Sequence, residues 1–265
     1  RALVTYEIFE PLGMTRSSLT AAAIEAAENA TVGYRYDPDG SVQVPFSQFF
    51  PYDFAGAGAI NSTVNDLVPW VRLHLAGGTV DGRRIVSAAN LAVTKTARIG
   101  MSDHNSYAMG WVLSATPNGQ FTWHNGGTTS YCAFVGTALA HDVGVIVLTN
   151  LQNVGLPDSI GMWTLDRLLG NPVVDYSAQT LANAKAGAAH DVATFTRPAD
   201  PAPAPDLATL AGSYANPSFG PAEVTVDGDG LVVSLTGTGA RLALAPWSGG
   251  AFTVNIVREG RFAAI

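Results

Sequence analysis

Residues 121–150 read FTWHNGGTTSYCAFVGTALAHDVGVIVLTN, and this stretch decides the fold. A strand runs from Phe121 into His124-Asn125-Gly126-Gly127, a turn follows, and two more strands end on Thr149-Asn150. The run Val143–Leu148 is apolar at nearly every position, the pattern of a strand covered on both faces. With a further strand expected over Tyr107–Leu113, the segments 107–113, 121–126, 131–139 and 143–149 follow one another closely. They therefore predict an antiparallel sheet.

Outward from this sheet the period changes to helical. Downstream, 157–169 predicts a long helix with Ile160, Trp163, Leu165 and Leu168 available to pack on the sheet, stopped by Gly170-Asn171-Pro172. Upstream, Leu67, Val68, Trp70, Val71 and Leu75 form a stripe on a helix that Asn65 or Asp66 can cap and Gly77-Gly78 can end. His74 on this helix is expected to be partly exposed. A shorter helix is expected from Ser87 with Leu91 inward, and another over 20–29. Residues 1–10 read as helix broken by Pro11 and Gly13. Residues 31–44 read as a hairpin around Asp37-Pro38-Asp39-Gly40. Residues 45–60 show no period and read as a long loop, in which Tyr52 and Asp53 could rim a cleft or simply face solvent.

Beyond 172 the composition shifts. Residues 173–206 are expected to link two domains, with 186–206, which hold Ala, Gly and the alternating prolines after Arg197, giving an extended, semi-rigid segment. From 207 to 265, short strands separated by Gly-rich turns predict a small all-β domain with Leu210, Tyr214, Val224, Val226, Leu231, Val233, Leu242 and Phe252 inside. The fold class is thus α/β (α+β): an antiparallel sheet packed by helices over 1–172, then a β-barrel-like unit.

Composition narrows the function. The chain has 265 residues with 47% hydrophobic content, enough for a sizeable core. A net charge of −7 and the absence of any basic run argue against nucleic-acid partners. Five histidines occur without metal-binding spacing, so no metal or other cofactor is expected. One cysteine, Cys132, excludes an internal disulfide and reads as a small core residue within an apolar strand.

Several segments, in order, resemble the serine β-lactamase and penicillin-binding-protein family of hydrolases. Ile8–Met14 is similar to the loop after that family's Tyr-x-Asn motif. Ala55–Thr63 with Asp66-Leu67 resembles its Gly-rich turn into a helix. Tyr107-Ala108-Met109-Gly110-Trp111 resembles a strand upstream of its third motif, and His124-Asn125-Gly126 resembles that motif itself. Residues 207–265 resemble the β-barrel domain often appended to such enzymes. The resemblance implies an acyl-enzyme reaction on an ester, amide, β-lactam or D-amino-acid peptide, and a periplasmic or secreted setting. Its nucleophile lies in Ser-x-x-Lys. The two lysines here, Lys95 and Lys185, follow Ala92 and Ala182 by three, so the chain has no such motif. Tyr214-Ala215-Asn216 fits Tyr-x-Asn by letter, but it reads as a strand Tyr and a turn Asn.

Arg1–Glu10 reads as the middle of a helix and Phe262–Ile265 as mid-strand. The nucleophile and Tyr-x-Asn are therefore expected in a segment upstream of Arg1, and this chain alone is expected to be inactive. That segment and a small-molecule or peptide substrate are the expected partners.

What remains implies a defined set of roles. By resemblance, the backbone N–H of Gly127 is an oxyanion donor. His124 replaces the family's commoner Lys, and Asn125, Gly126 and Thr128 contact substrate. Histidine anchors a carboxylate less permanently than lysine because its charge is pH-dependent, which favours ester, amide or peptide substrates over β-lactams. The alternative is a non-catalytic binding or scaffold protein with the same fold.

Overall fold

The expected strands become a six-stranded antiparallel meander, seen in a computed structural model that describes residues 1–37, 39–46, 52 and 55–257. The strands are β1 (Ile99–Gly100), β2 (Asn105–Tyr107), β3 (Val112–Thr116), β4 (Gly119–Gly127), β5 (Cys132–Ala138) and β6 (Val143–Thr149). They lie in sequence order across the sheet. The expectation of one strand over 107–113 is corrected. Gly110 takes φ +76°, and Ala108 N–H donates to the Trp111 carbonyl, so the chain reverses between β2 and β3. That positive φ suits Gly because it has no Cβ.

Helices cover both faces of the sheet. On the back face α3 (Leu156–Leu169) lays Leu165 and Leu169 on Phe121, Phe134 and Val145. The approach is close because Gly161 has no side chain: a Cβ there would lie 2.2 Å from the Phe134 ring. Only Leu165 of the four residues expected to pack is buried. Trp163 is 48% exposed, and Ile160 and Leu168 also face outward. The stripe is rotated, with Pro157, Gly161, Leu165 and Leu169 inward at i, i+4 spacing. On the front face α1 (Val64–Leu75) packs over β6, where Gly144 leaves room for Val71. Helices on both faces explain the unbroken apolar run of β6.

Thr63, not Asn65 or Asp66, caps α1, its hydroxyl accepting from Asp66 N–H. Asp66 turns inward, where its carboxylate accepts from Arg16 N–H and the Ser17 hydroxyl, both at 2.8 Å. This ties the N-terminal segment to α1, whose Leu73 joins Phe9, Leu12, Met14 and Leu19 in a second core. The expected hairpin forms from Gly33–Asp37 and Gly40–Val44. Ser87 caps α2 (Ala88–Thr94), with Leu91 buried. Residues 45–60 contain a short helix, Ala55–Gly58. Asp53, considered as a cleft rim, lies outside the described residues.

The chain divides into two units, Arg1–Ala188 and Ala189–Ile265. The expectation of an extended linker is corrected for part of its length, because α4 (Tyr176–Phe195) is a 20-residue helix. Ala, Gln, Leu and Lys favour helix, and the prolines begin only at Pro198. The second unit holds a five-stranded antiparallel meander: β7 (Gly212–Asn216), β8 (Gly220–Asp227), β9 (Gly230–Leu235), β10 (Ala240–Ser248) and β11 (Ala251–Ile256). Leu231 and Val232 are its buried hydrophobic residues among those described. Tyr214, at 50% exposed, and Val226 are not in the core as expected. Tyr214 donates to the Leu210 carbonyl, and Asn216 accepts from Ser218 and Phe219 N–H, so this Tyr-x-Asn is a strand and turn.

Candidate active site

The C-terminal half of β4 is where the sheet opens. β3 pairs with β4 only from Gly119 to Trp123, whereas β5 pairs with it as far as Gly127. Residues 124–127 thus present a free edge on the β3 side among the described residues. Backbone direction there follows from the ladder. Thr128 N–H donates to the Tyr131 carbonyl at 2.8 Å. Counting back along alternating antiparallel pairs, Gly126↔Ala133 is hydrogen-bonded and Gly127↔Cys132 is not. The N–H of Gly127 therefore points away from β5, into the gap beyond Val112.

Side chains alternate across the strand. His124 and Gly126 face the front, and a Cβ built on Gly126 would meet nothing within 4 Å. Asn125 and Gly127 face the back. Asn125 donates through Nδ2 to Asp158 Oδ1 at 2.6 Å, across to the first turn of α3. A Cβ on Gly127 would fall 2.4 Å from the Asn153 Cβ. Gly127 thus lacks a side chain because Asn153 occupies the space, whereas Gly126 leaves space in front. Asn125 ties β4 to α3 from behind, a place that substrate contact does not fit.

His124 is held at both ring nitrogens. Nε2 lies 3.0 Å from the Tyr107 hydroxyl, and Nδ1 faces the Asn125 carbonyl. The Thr128 hydroxyl accepts from Ser130 and Tyr131 N–H, closing the turn after β4. Tyr131 donates to the Thr31 carbonyl, and Tyr52 to Asn61 Oδ1. Burial raises the pKa of both phenols. Burial also raises the Asp158 carboxyl, opposed by the Asn125 hydrogen bond, and its Oδ2 has no partner among the described residues. Cys132 is buried, which with nearby Asp158 pushes its thiol up to about 11. A thiol held neutral suits a core residue and not a nucleophile.

Deeper on the front face lies a buried polar group. Lys95 Nζ donates to Thr137 Oγ1 at 3.0 Å and sits 5.1 Å from the Trp111 ring. Thr137 and Thr122 share a hydrogen bond of 2.8 Å. Burial lowers Lys95 to about 8. His74, expected to be partly exposed, is only 3% exposed between Trp70 and Trp111. Burial, then Lys95, lowers its pKa to about 4. Neither ring nitrogen has a hydrogen-bond partner among the described residues. No cluster able to hold a metal ion occurs among them either.

The free sheet edge, the outward N–H and the histidine beside an open glycine sit on a mixed α/β fold with an antiparallel sheet packed by helices. The comparisons with known proteins give the family. The Beta-lactamase family model matches residues 1–171, and the chain belongs to that family of serine β-lactamase and penicillin-binding-protein-like hydrolases. A domain of unknown function, DUF3471, matches residues 196–263. The unguisins hydrolase of Aspergillus violaceofuscus is 25% identical over 260 residues, covering 86% of this chain and 46% of that protein. The octameric penicillin-binding protein homologue from Pyrococcus abyssi superposes with a TM-score of 0.56 at 23% identity, over 92% of this chain and 50% of that one. A penicillin-binding protein from Bacillus halodurans gives a TM-score of 0.46 at 13% identity, over 62% of this chain and 48% of that one. The chain thus spans about half the length of these relatives.

The sequence reading missed Tyr107 in its contact with His124, together with Asn153 and Asp158. A sequence signal existed only for the two faces of β4: strict alternation already separates His124 and Gly126 from Asn125 and Gly127.

Proposed function

We propose that this chain forms one wall of the active site of a serine hydrolase that cleaves an ester, amide, β-lactam or D-amino-acid peptide through an acyl-enzyme. The Gly127 N–H is the second oxyanion donor, and Gly126 admits substrate to the front of β4. The observation that carries this reading is the outward Gly127 N–H at a free strand edge, three residues past a tethered His124. An anionic tetrahedral oxygen needs a donor already aimed where charge develops. The similarity to an unguisins hydrolase supports hydrolysis as the reaction type. Gly126, His124 and Thr128 line the substrate side, and Asn125 supports the strand from behind. The nucleophilic Ser and its Lys come from upstream of Arg1, because no Ser in this chain stands three before a Lys.

The test compares this chain with a form extended upstream to the length of its relatives. This chain alone turns over neither an activated ester nor a chromogenic β-lactam, and a fluorophosphonate probe does not label it. The extended form does both and is acylated on a serine outside residues 1–265. Labelling of the isolated chain overturns the placement of the nucleophile. An extended, folded form that neither hydrolyses nor labels overturns the hydrolase reading in favour of a binding protein.

A further inference from the structure

We propose that Tyr107 is a positioning residue that holds the His124 ring in one orientation, in the tautomer that the Asn125 carbonyl selects, beside the open front of Gly126. The consequence for rate rests on the hydrolase reading above; the geometry does not. Tyr107 is the last residue of β2, and the turn through Gly110 delays β3 until Val112. That leaves a gap beside β4 after Trp123, and the Tyr107 ring crosses it. Its hydroxyl lies 3.0 Å from His124 Nε2, with ring centroids 5.9 Å apart at 65°.

The proton positions follow from which groups can donate. Nδ1 faces the Asn125 carbonyl, which only accepts. Neutral imidazole carries one N–H, so that proton sits on Nδ1 and Nε2 has the lone pair. The Tyr107 O–H then donates to Nε2. The second nitrogen's partner fixes the tautomer, as hydrogen bonding does for histidines generally. Asn125 itself cannot shift easily, because its side chain is bonded to Asp158 on α3. The order Tyr107, His124, Asn125, Asp158 therefore runs from the cleft through β4 to the helix behind it.

Removing the Tyr107 hydroxyl breaks its link to His124 while leaving the ring, so Tyr107→Phe isolates the proposed role.

The experiment uses the 265-residue chain with ring-¹⁵N-labelled histidine. Its five histidines are assigned by loss of one signal set in His124→Asn. In its neutral form His124 is expected to show a protonated, pyrrole-type Nδ1 and an unprotonated, pyridine-type Nε2. In Tyr107→Phe the Nδ1 proton stays, because the Asn125 carbonyl still accepts it, while the Nε2 signal moves toward that of a pyridine-type nitrogen without a hydrogen bond and the other four histidines keep their shifts. A protonated Nε2 in the unsubstituted chain overturns the proposal, and this measurement needs no variant to fold. An Nε2 signal that does not move in a folded Tyr107→Phe overturns it as well. In the catalytically competent extended form, Tyr107→Phe lowers kcat about tenfold with KM nearly unchanged, the loss of roughly one hydrogen bond in the transition state. A moved Nε2 signal with kcat unaltered overturns the catalytic half. An extended form with no activity, together with the expected tautomers, overturns the hydrolase reading and leaves the positioning role standing.

Discussion

The two faces of β4 are held by different means. Behind the strand, packing is tight and cross-linked: Phe134 sits against Gly161, Asn125 bonds Asp158, and Asn153 fills the place of a Gly127 side chain. In front, the upstream half is covered, where Thr122 and Thr137 lie under Lys95. Among the described residues the downstream half is open at Gly126. One strand thus has a rigid back and a bare front, and its precision at the front comes from the back. A substrate wall needs free space on one side and little freedom in the backbone that borders it.

The largest expected effect tests the back face. Phe134→Ala should cost about 3–5 kcal/mol, read as a lower midpoint in chemical denaturation, because its ring fills the space left by Gly161. A loss under 1 kcal/mol would mean that α3 collapses onto the sheet without it, and the contrast between faces would fail.

The next probes the covered half of the front. His74 is held well below its ordinary value, at about 4. A histidine with depressed folded pKa contributes stability that is present above its unfolded pKa of about 6.5 and is lost as pH falls toward 4. The loss across that window is on the order of 2–3 kcal/mol. His74→Phe should flatten the stability profile between about pH 6.5 and 4. An unchanged profile would place the acid sensitivity elsewhere.

Gly127→Val should destabilise by about 1–3 kcal/mol, through the clash with Asn153, and Asn153→Gly should recover much of it. Failure of that second substitution to rescue would show that the space behind Gly127 is not the constraint. In an active extended form, any rate loss remaining after rescue reports on the N–H itself.

The smallest effect sharpens the comparison from the open side. His124→Ala should change stability by less than about 1 kcal/mol, measured by the same denaturation. It should lower the turnover of the extended form by less than the roughly 10²–10³ that loss of an oxyanion donor costs. A stability loss as large as that of Phe134→Ala would make His124 a structural residue.

Much of this was legible in the sequence, and the failures have physical reasons. The strand–turn–strand pattern from Phe121 and the unbroken apolar run Val143–Leu148 revealed β4, β5 and β6, because such runs bounded by turns leave few alternatives. The break at Ala108–Trp111 escaped because a single Gly in an aromatic-rich run marks a turn only when its φ is known. The helix Tyr176–Phe195 escaped because its flanking prolines and small residues imitate a linker, and its lack of buried residues removes the periodic signal. His74 looked solvent-facing because Trp111, which closes over it from the sheet, lies far from it along the sequence. At the site, His124, Gly126 and Gly127 were found from their local pattern. Their supports were not, because Asp158 lies 33 residues from Asn125 in sequence and no local motif announces such a contact.

The outer edge of β6 has a further consequence. Val143–Thr149 carries no charge and no proline, and both its faces are covered by helices. Among the described residues, no strand pairs with its outer side. The backbone groups along that edge offer a template for another β-strand. Preparations of this chain are therefore expected to self-associate in a concentration-dependent way that dilution reverses only at first. A single lysine at Leu148, which is already exposed, is the economical place to keep the molecules apart.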